Sequence, residues 1–135
     1  MISISVRSKY GLSAVVALAT SNSRSPMQSK QIADSCAIPQ NYLEQLLLDL
    51  KRSGIVKSTR GCQGGYVLAK SPENLRVLDI LNCLEGPSEL CSGSCPSLSD
   101  FWKTAESDIY RLFEVTIAQL VSDIEKKNQS YTYSI

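Results

Sequence analysis

The side chains best equipped for reactive chemistry in this 135-residue chain are cysteines, because it contains no histidine. Without an imidazole there is no Ser-His-Asp or Cys-His pair, no histidine general base and no histidine metal ligand. No glycine loop of the nucleotide-binding type compensates, so the chain is not expected to be an enzyme. Five cysteines remain: Cys36, Cys62, Cys83, Cys91 and Cys95. The odd count, with nothing that suggests secretion, argues against a disulfide framework. Cys91 and Cys95 are spaced C-x3-C in an expected loop, Pro87 to Ser97. Two thiolates that close can ligate metal or join as a disulfide, although Pro96 constrains closure. Cys36 and Cys83 read as core. Cys62 sits in a glycine-rich turn, where oxidation would disturb a contact surface but an incidental small residue is the simpler reading.

A second chemistry, recognition by hydrogen bonding, is concentrated between Ile38 and Tyr66. Leu43, Leu46, Leu47 and Leu50 follow the i, i+3, i+4, i+7 pattern of a one-faced helix, expected over Asn41 to Arg52. The opposite face carries Gln40, Asn41, Glu44, Gln45, Leu48 and Lys51. Asn and Gln can pair bidentately with adenine, and Glu can accept from cytosine N4. Ser53-Gly54 ends the helix. The period then changes: the β-branched run Ile55 to Arg60, glycines at 61, 64 and 65, and Tyr66 to Ala69 predict a two-stranded ribbon. Lys57 and Arg60 make it basic, and Gly61 allows a tight turn and close backbone approach. A helix followed by such a ribbon suits a winged helix-turn-helix, with the helix in a major groove and the tip at neighbouring phosphates or the minor groove.

The elements that must hold this stretch precede it. Ser8 to Thr20 reads as a first helix capped by Ser8, with Tyr10, Leu12, Val15, Val16 and Ala19 inward. Residues 2–6 alternate weakly, as a short strand or arm would. The apolar run after Arg7 and Lys9 superficially resembles a signal peptide, but polar residues interrupt it repeatedly. After a polar loop closed by Pro26, Gln28 to Cys36 forms a second helix. Ala37-Ile38-Pro39 makes the turn, and Ala33 is small enough for close helix approach. Charge is divided along the chain. Residues 1–70 hold nine Lys/Arg against three Asp/Glu, a net +6, and residues 71–135 hold five against ten, a net −5. A basic first half fits a polyanion-binding surface, with the acidic half kept away from phosphates.

Beyond residue 70, Ser71-Pro72 opens a helix expected near 76–85 that Gly86-Pro87 stops. Leu98, Trp102, Ala105, Ile109 and Leu112 recur at four, three, four and three residues, a coiled-coil-like seam through a helix of 97–114. Phe101 and Phe113 add apolar surface. Pairing of this helix with a second copy is favoured, because a two-fold dimer can read two half-sites. Val115 to Ile124 forms a short last helix, and Lys126 to Ile135 is expected to be mobile. No apolar run approaches the roughly 20 residues that span a bilayer. The expected fold is mainly α with a small β-wing. Residues 1–70 form the winged helix-turn-helix DNA-binding domain, and residues 71–135 supply the linker helix, cysteine loop and dimerisation helix.

Ser8-Lys9-Tyr10-Gly11, Tyr42-Leu43-Glu44-Gln45-Leu46, Gly54-Ile55-Val56 and Arg60-Gly61-Cys62-Gln63-Gly64-Gly65-Tyr66 together resemble the Rrf2 family of bacterial winged-helix regulators, as do Leu84-Glu85-Gly86 and Phe101-Trp102. The resemblance implies a cytoplasmic homodimer reading a palindromic double-stranded DNA operator. It places Asn41 and Glu44 at base-reading positions, Arg60 at the wing arginine, and Ser29, Lys30, Tyr42 and Gln45 where the operator or its backbone is docked. With Lys9, Gln40, Lys51 and Gly61 these are the expected DNA-contacting residues. Cluster-binding members carry three loop cysteines and one further ligand; here only Cys91 and Cys95 occupy the loop, and Leu98 stands where one such member has histidine. Three readings of the pair stay open: a [2Fe–2S] cluster completed by Glu85, Glu89, Asp100, Cys83 or a partner's Ser8; a thiol–disulfide switch; or regulation by a partner protein or small molecule. A second function class, a protein-interaction module gripping a metabolic enzyme, is carried alongside.

Overall fold

The computed structural model describes residues 3–21, 25–86 and 89–133. Its centre is α3 (Gln40–Arg52), whose Leu43, Leu46, Leu47 and Leu50 are all fully buried. Two helices hold it. The first, α1 (Val6–Thr20), begins earlier than Ser8: Ser5 is the N-cap, and its hydroxyl accepts from the Ser8 N–H at 3.2 Å. Ser8 is itself buried, so the expected cap is corrected; residues 3–5 form no strand, and Val6, expected in that segment, is already helical. The inward face of α1 is Ser8, Gly11, Ala14, Val15 and Leu18; of the residues expected there only Val15 is fully buried. The reason is close packing. A methyl on Gly11 would collide with Leu84, so small residues mark the closest helix contact, while Tyr10, Leu12 and Ala19 pack against the core half-buried.

The second, α2 (Ser29–Cys36), opens on a capping box in which Gln28 and Gln31 satisfy each other's backbone N–H groups. Ala37, in the left-handed region at φ 55°, turns the chain into α3. The wing follows as an antiparallel pair, β1 (Val56–Thr59) and β2 (Gly65–Leu68), with Val56 opposite Leu68 and Thr59 opposite Gly65. Met27 joins this ribbon: its N–H donates to the Tyr66 carbonyl at 3.0 Å and its carbonyl accepts from the Tyr66 N–H at 2.8 Å. Gly65 permits that approach. Its φ is +151°, and a methyl there would stand 2.6 Å from the Met27 carbonyl carbon.

Ser71 and Pro72 start a separate 3-10 turn, Pro72–Asn74, not the next helix. That helix, α4 (Val77–Leu84), is capped by Asp79, whose carboxylate accepts from the Arg76 N–H at 2.9 Å and from the Arg76 guanidinium at 3.0 Å. After the cysteine loop a 3-10 turn, Pro96–Leu98, precedes α5 (Ser99–Leu112), so the expected 97–114 helix is two pieces. The last helix, α6 (Ile117–Tyr133), runs far past Ile124; Lys126 to Tyr133 is helical where a mobile tail was expected, and the last two residues of that expected tail lie outside the described residues. Its start is laced to α4 through Ile117 N–H to the Leu75 carbonyl (2.7 Å) and Val77 N–H to the Val115 carbonyl (3.0 Å). Ile117 thereby joins Leu75, Ile80 and the α3 leucines in one buried cluster.

Candidate nucleic-acid interface

Burying four leucines on one side of α3 leaves its other side to solvent. Gln40, Asn41, Tyr42, Glu44, Gln45, Leu48 and Lys51 are all exposed there. Tyr42 meets Tyr10 edge-to-face, ring centroids 5.6 Å apart, which brings the α1 turn carrying Lys9 against the first turn of α3. Lys9 and Lys30 are exposed; Ser29, first residue of α2, is half-buried. Beside α3 the wing tip, Arg60 to Gly64, presents exposed Arg60, Gly61, Cys62 and Gln63. Gly61 takes φ +109°, and Gly64 is buried with no room for a side chain between the Thr59 and Gly61 carbonyls. The tip is therefore a shaped basic turn. Such a surface, hydrogen-bonding groups on one helix with an arginine on an adjoining ribbon, can contact base edges and backbone together.

An unanticipated carboxylate stands behind this face. Asp49 pairs with Arg7 of α1 and lies 3.7 Å from Arg52 of α3. The i, i+3 spacing of Asp49 and Arg52 is readable in sequence; the Arg7 contact, across 42 residues, is not.

The thiol loop is arranged differently from the ligand set expected for a cluster. The carboxylate at Cys91 is Glu106 of α5, accepting from the thiol at 3.2 Å. Glu85 instead accepts from the Ser5 N–H (2.8 Å) and hydroxyl (2.7 Å), and these bonds hold its carboxyl below the usual range. Cys83, on α4, stands 3.1 Å from the hydroxyl of Ser53 at the end of α3, and Cys36 is 3.6 Å from the Ser13 carbonyl. Both are half-buried beside the core, not within it. Among the described residues no three Cys, Asp or Glu side chains converge to hold a metal ion. Two thiols and one carboxylate do not make the four-ligand set of a [2Fe–2S] cluster, so the donors of one chain do not fit that group. The two thiols differ. The bond to Glu106 pushes Cys91 up, whereas the Ser97 hydroxyl, 3.2 Å from Cys95, lowers that thiol.

The expected dimer seam is divided. Trp102 and Ile109 turn toward α4, lining a cleft of about 1030 Å³ with Leu78, Leu81 and Phe113. Ala105 is half-buried, while Leu98 and Leu112 face solvent together with Phe101.

Helices α1 to α3, with the ribbon β1–β2 following directly, define a winged helix-turn-helix protein. The Rrf2 profile, described as an iron-dependent transcriptional regulator, matches residues 4–123. The chain belongs to the Rrf2 family of transcriptional regulators, whose named relatives are regulators and not enzymes. It is 32% identical over 136 residues to the HTH-type transcriptional regulator CymR of Bacillus subtilis, spanning 98% of this chain and 99% of that one. The solved structure of that global cysteine regulator superposes with a TM-score of 0.80 at 33% identity, covering 90% of this chain and 98% of that one. The T. potens IscR structure gives 0.81 at 32% identity, covering 93% and 90%.

Proposed function

We propose that two copies of this chain bind a palindromic DNA operator in the cytoplasm, each inserting the exposed face of α3 into a major groove and laying its wing on the flank. The observation that carries this reading is the coexistence of exposed Asn41, Glu44 and Gln45 on α3 with a shaped, basic tip at Arg60 and Gly61 on the ribbon whose first strand packs against that helix. In this reading Asn41, Glu44 and Gln45 read bases, while Lys9, Ser29, Lys30, Gln40, Tyr42, Lys51 and Arg60 position the backbone. Exposed Leu98, Phe101 and Leu112 of α5 support pairing along that helix, with Trp102, Ala105 and Ile109 completing its inner side.

The loop thiols are read as a redox sensor. Cys95, exposed and with its thiolate favoured, attacks a hydroperoxide. The O–O bond breaks, the peroxide leaves as alkoxide or hydroxide, and Cys95 becomes a sulfenic acid. The Cys91 thiol loses its proton to Glu106 and displaces water from the sulfenic acid, forming the disulfide. That step abolishes the Cys91–Glu106 hydrogen bond, a link between the loop and the middle of the pairing helix.

Binding of fluorescent duplex DNA across a salt series tests the DNA reading. Phosphate neutralisation gives a steep fall in affinity with salt, and Arg60→Ala lowers the slope by about 1. Absence of salt-dependent binding favours the protein-interaction module instead. For the loop, peroxide consumes two thiols in the wild type, and Cys91→Ser stops the reaction at the sulfenic acid. Iron-dependent visible absorbance in protein kept from air, lost in Cys91→Ser and Cys95→Ser, would replace the disulfide reading with a cluster completed from outside one chain.

A further inference from the structure

α3 carries five leucines, and four of them are buried to 1% exposure or less. The fifth, Leu48, is 41% exposed. A single leucine at the surface is ordinary; its position is what matters. Asn41, Gln45, Leu48 and Arg52 follow one another at i, i+4, i+7 and i+11, a stripe along the side of α3 opposite Leu43, Leu46, Leu47 and Leu50. All four are exposed. Leu48 is thus the apolar member of an otherwise hydrogen-bonding stripe, one turn beyond Glu44 and Gln45.

Resting on the DNA-binding reading above, we infer that Leu48 is a specificity-determining residue that reads the 5-methyl group of thymine. The chemistry of the groove selects this ligand. Base edges in the major groove present nitrogen and oxygen donors and acceptors, and the one apolar group among them is the thymine methyl. A leucine side chain cannot hydrogen-bond to the other edges and would strip water from them without return. Against a methyl it buries apolar surface on both partners. Leu48 therefore favours thymine one helical turn along from the bases read by Glu44 and Gln45.

The test uses the full chain and a duplex selected by it from a random library. Each thymine of the selected site is replaced singly by deoxyuracil, which removes only the methyl. At one thymine per half-site the replacement weakens binding about fourfold, the worth of one buried methyl. In Leu48→Ala that penalty disappears, and selection with the variant loses its preference for thymine there. Because Leu48 is exposed, Leu48→Ala and Leu48→Gln melt as the wild type does. Wild-type binding indifferent to every deoxyuracil replacement overturns the inference and leaves the DNA-binding reading standing, as does an unchanged methyl penalty in Leu48→Ala. Failure to enrich any duplex removes both.

Discussion

α3 and α5 are one-faced helices of nearly equal length, 13 and 14 residues, but they are satisfied in different ways. The apolar stripe of α3 is fully buried within its own chain. α5 has no fully buried residue, and Leu112 is 76% exposed. The same sequence signal, leucines and aromatics at helical spacing, has therefore been spent on internal packing in one helix and left open in the other. The lesson is that periodicity predicts an apolar face and not what covers it. Covering depends on where neighbouring elements are anchored. α3 lies against α1, α2, α4 and β1, whereas α5 is held through Trp102 and Ile109 on the cleft shared with α4, the Cys91–Glu106 bond at its middle and the Leu78 N–H to the Phe113 carbonyl beyond its end.

Substitutions can break or sharpen this contrast. The largest effect is expected from Leu47→Ala on α3, about 2–5 kcal/mol of unfolding free energy by denaturant titration. A loss below 1 kcal/mol would mean that the α3 core is looser than its burial indicates. Next is Ser5→Ala, which removes the α1 cap and the hydroxyl bond to Glu85, at about 1 kcal/mol. This contact also carries a pH dependence. The folded-state Glu85 carboxyl is held low by Ser5, so its contribution is fully present above the unfolded value of about 4.3 and disappears as pH falls through the lower folded value. Stability curves from pH 6 to 2 should show a shallower acid loss in Ser5→Ala than in the wild type; parallel curves would remove Glu85 from the account. The smallest effect on stability is expected from Leu112→Ala, within about 0.5 kcal/mol in dilute protein. Sedimentation should nevertheless show weaker self-association. A destabilisation as large as that of Leu47→Ala would place Leu112 in the core of the single chain.

The helix-turn-helix and wing were legible because each rests on local rules. Four leucines at helical spacing fix the buried side of α3, and glycines mark a turn no other residue can make. The inward face of α1 was read only in part, through Val15 with Tyr10, Leu12 and Ala19 at the core's margin, because its closest contact is defined by Gly11 and Ala14, whose value lies in being absent bulk. α6 was shortened because a polar helix surface and a polar tail look alike residue by residue. Glu106 was missed as the partner of Cys91 because the two meet across 15 residues and two elements, a spacing with no signature. The outward split of the α5 seam follows from the position of α4, which no pattern within α5 encodes.

The paired hydrogen bonds between Met27 and Tyr66 fasten the ribbon to the segment entering α2. The two parts of the reading head consequently turn as one body, with little hinge between them. In the DNA-binding reading proposed above, the distance and angle between the groove that α3 would enter and the flank that Arg60 would meet become properties of the protein. One extra base pair between those points rotates the flank by roughly a tenth of a turn, a misalignment the tethered ribbon cannot follow by bending alone.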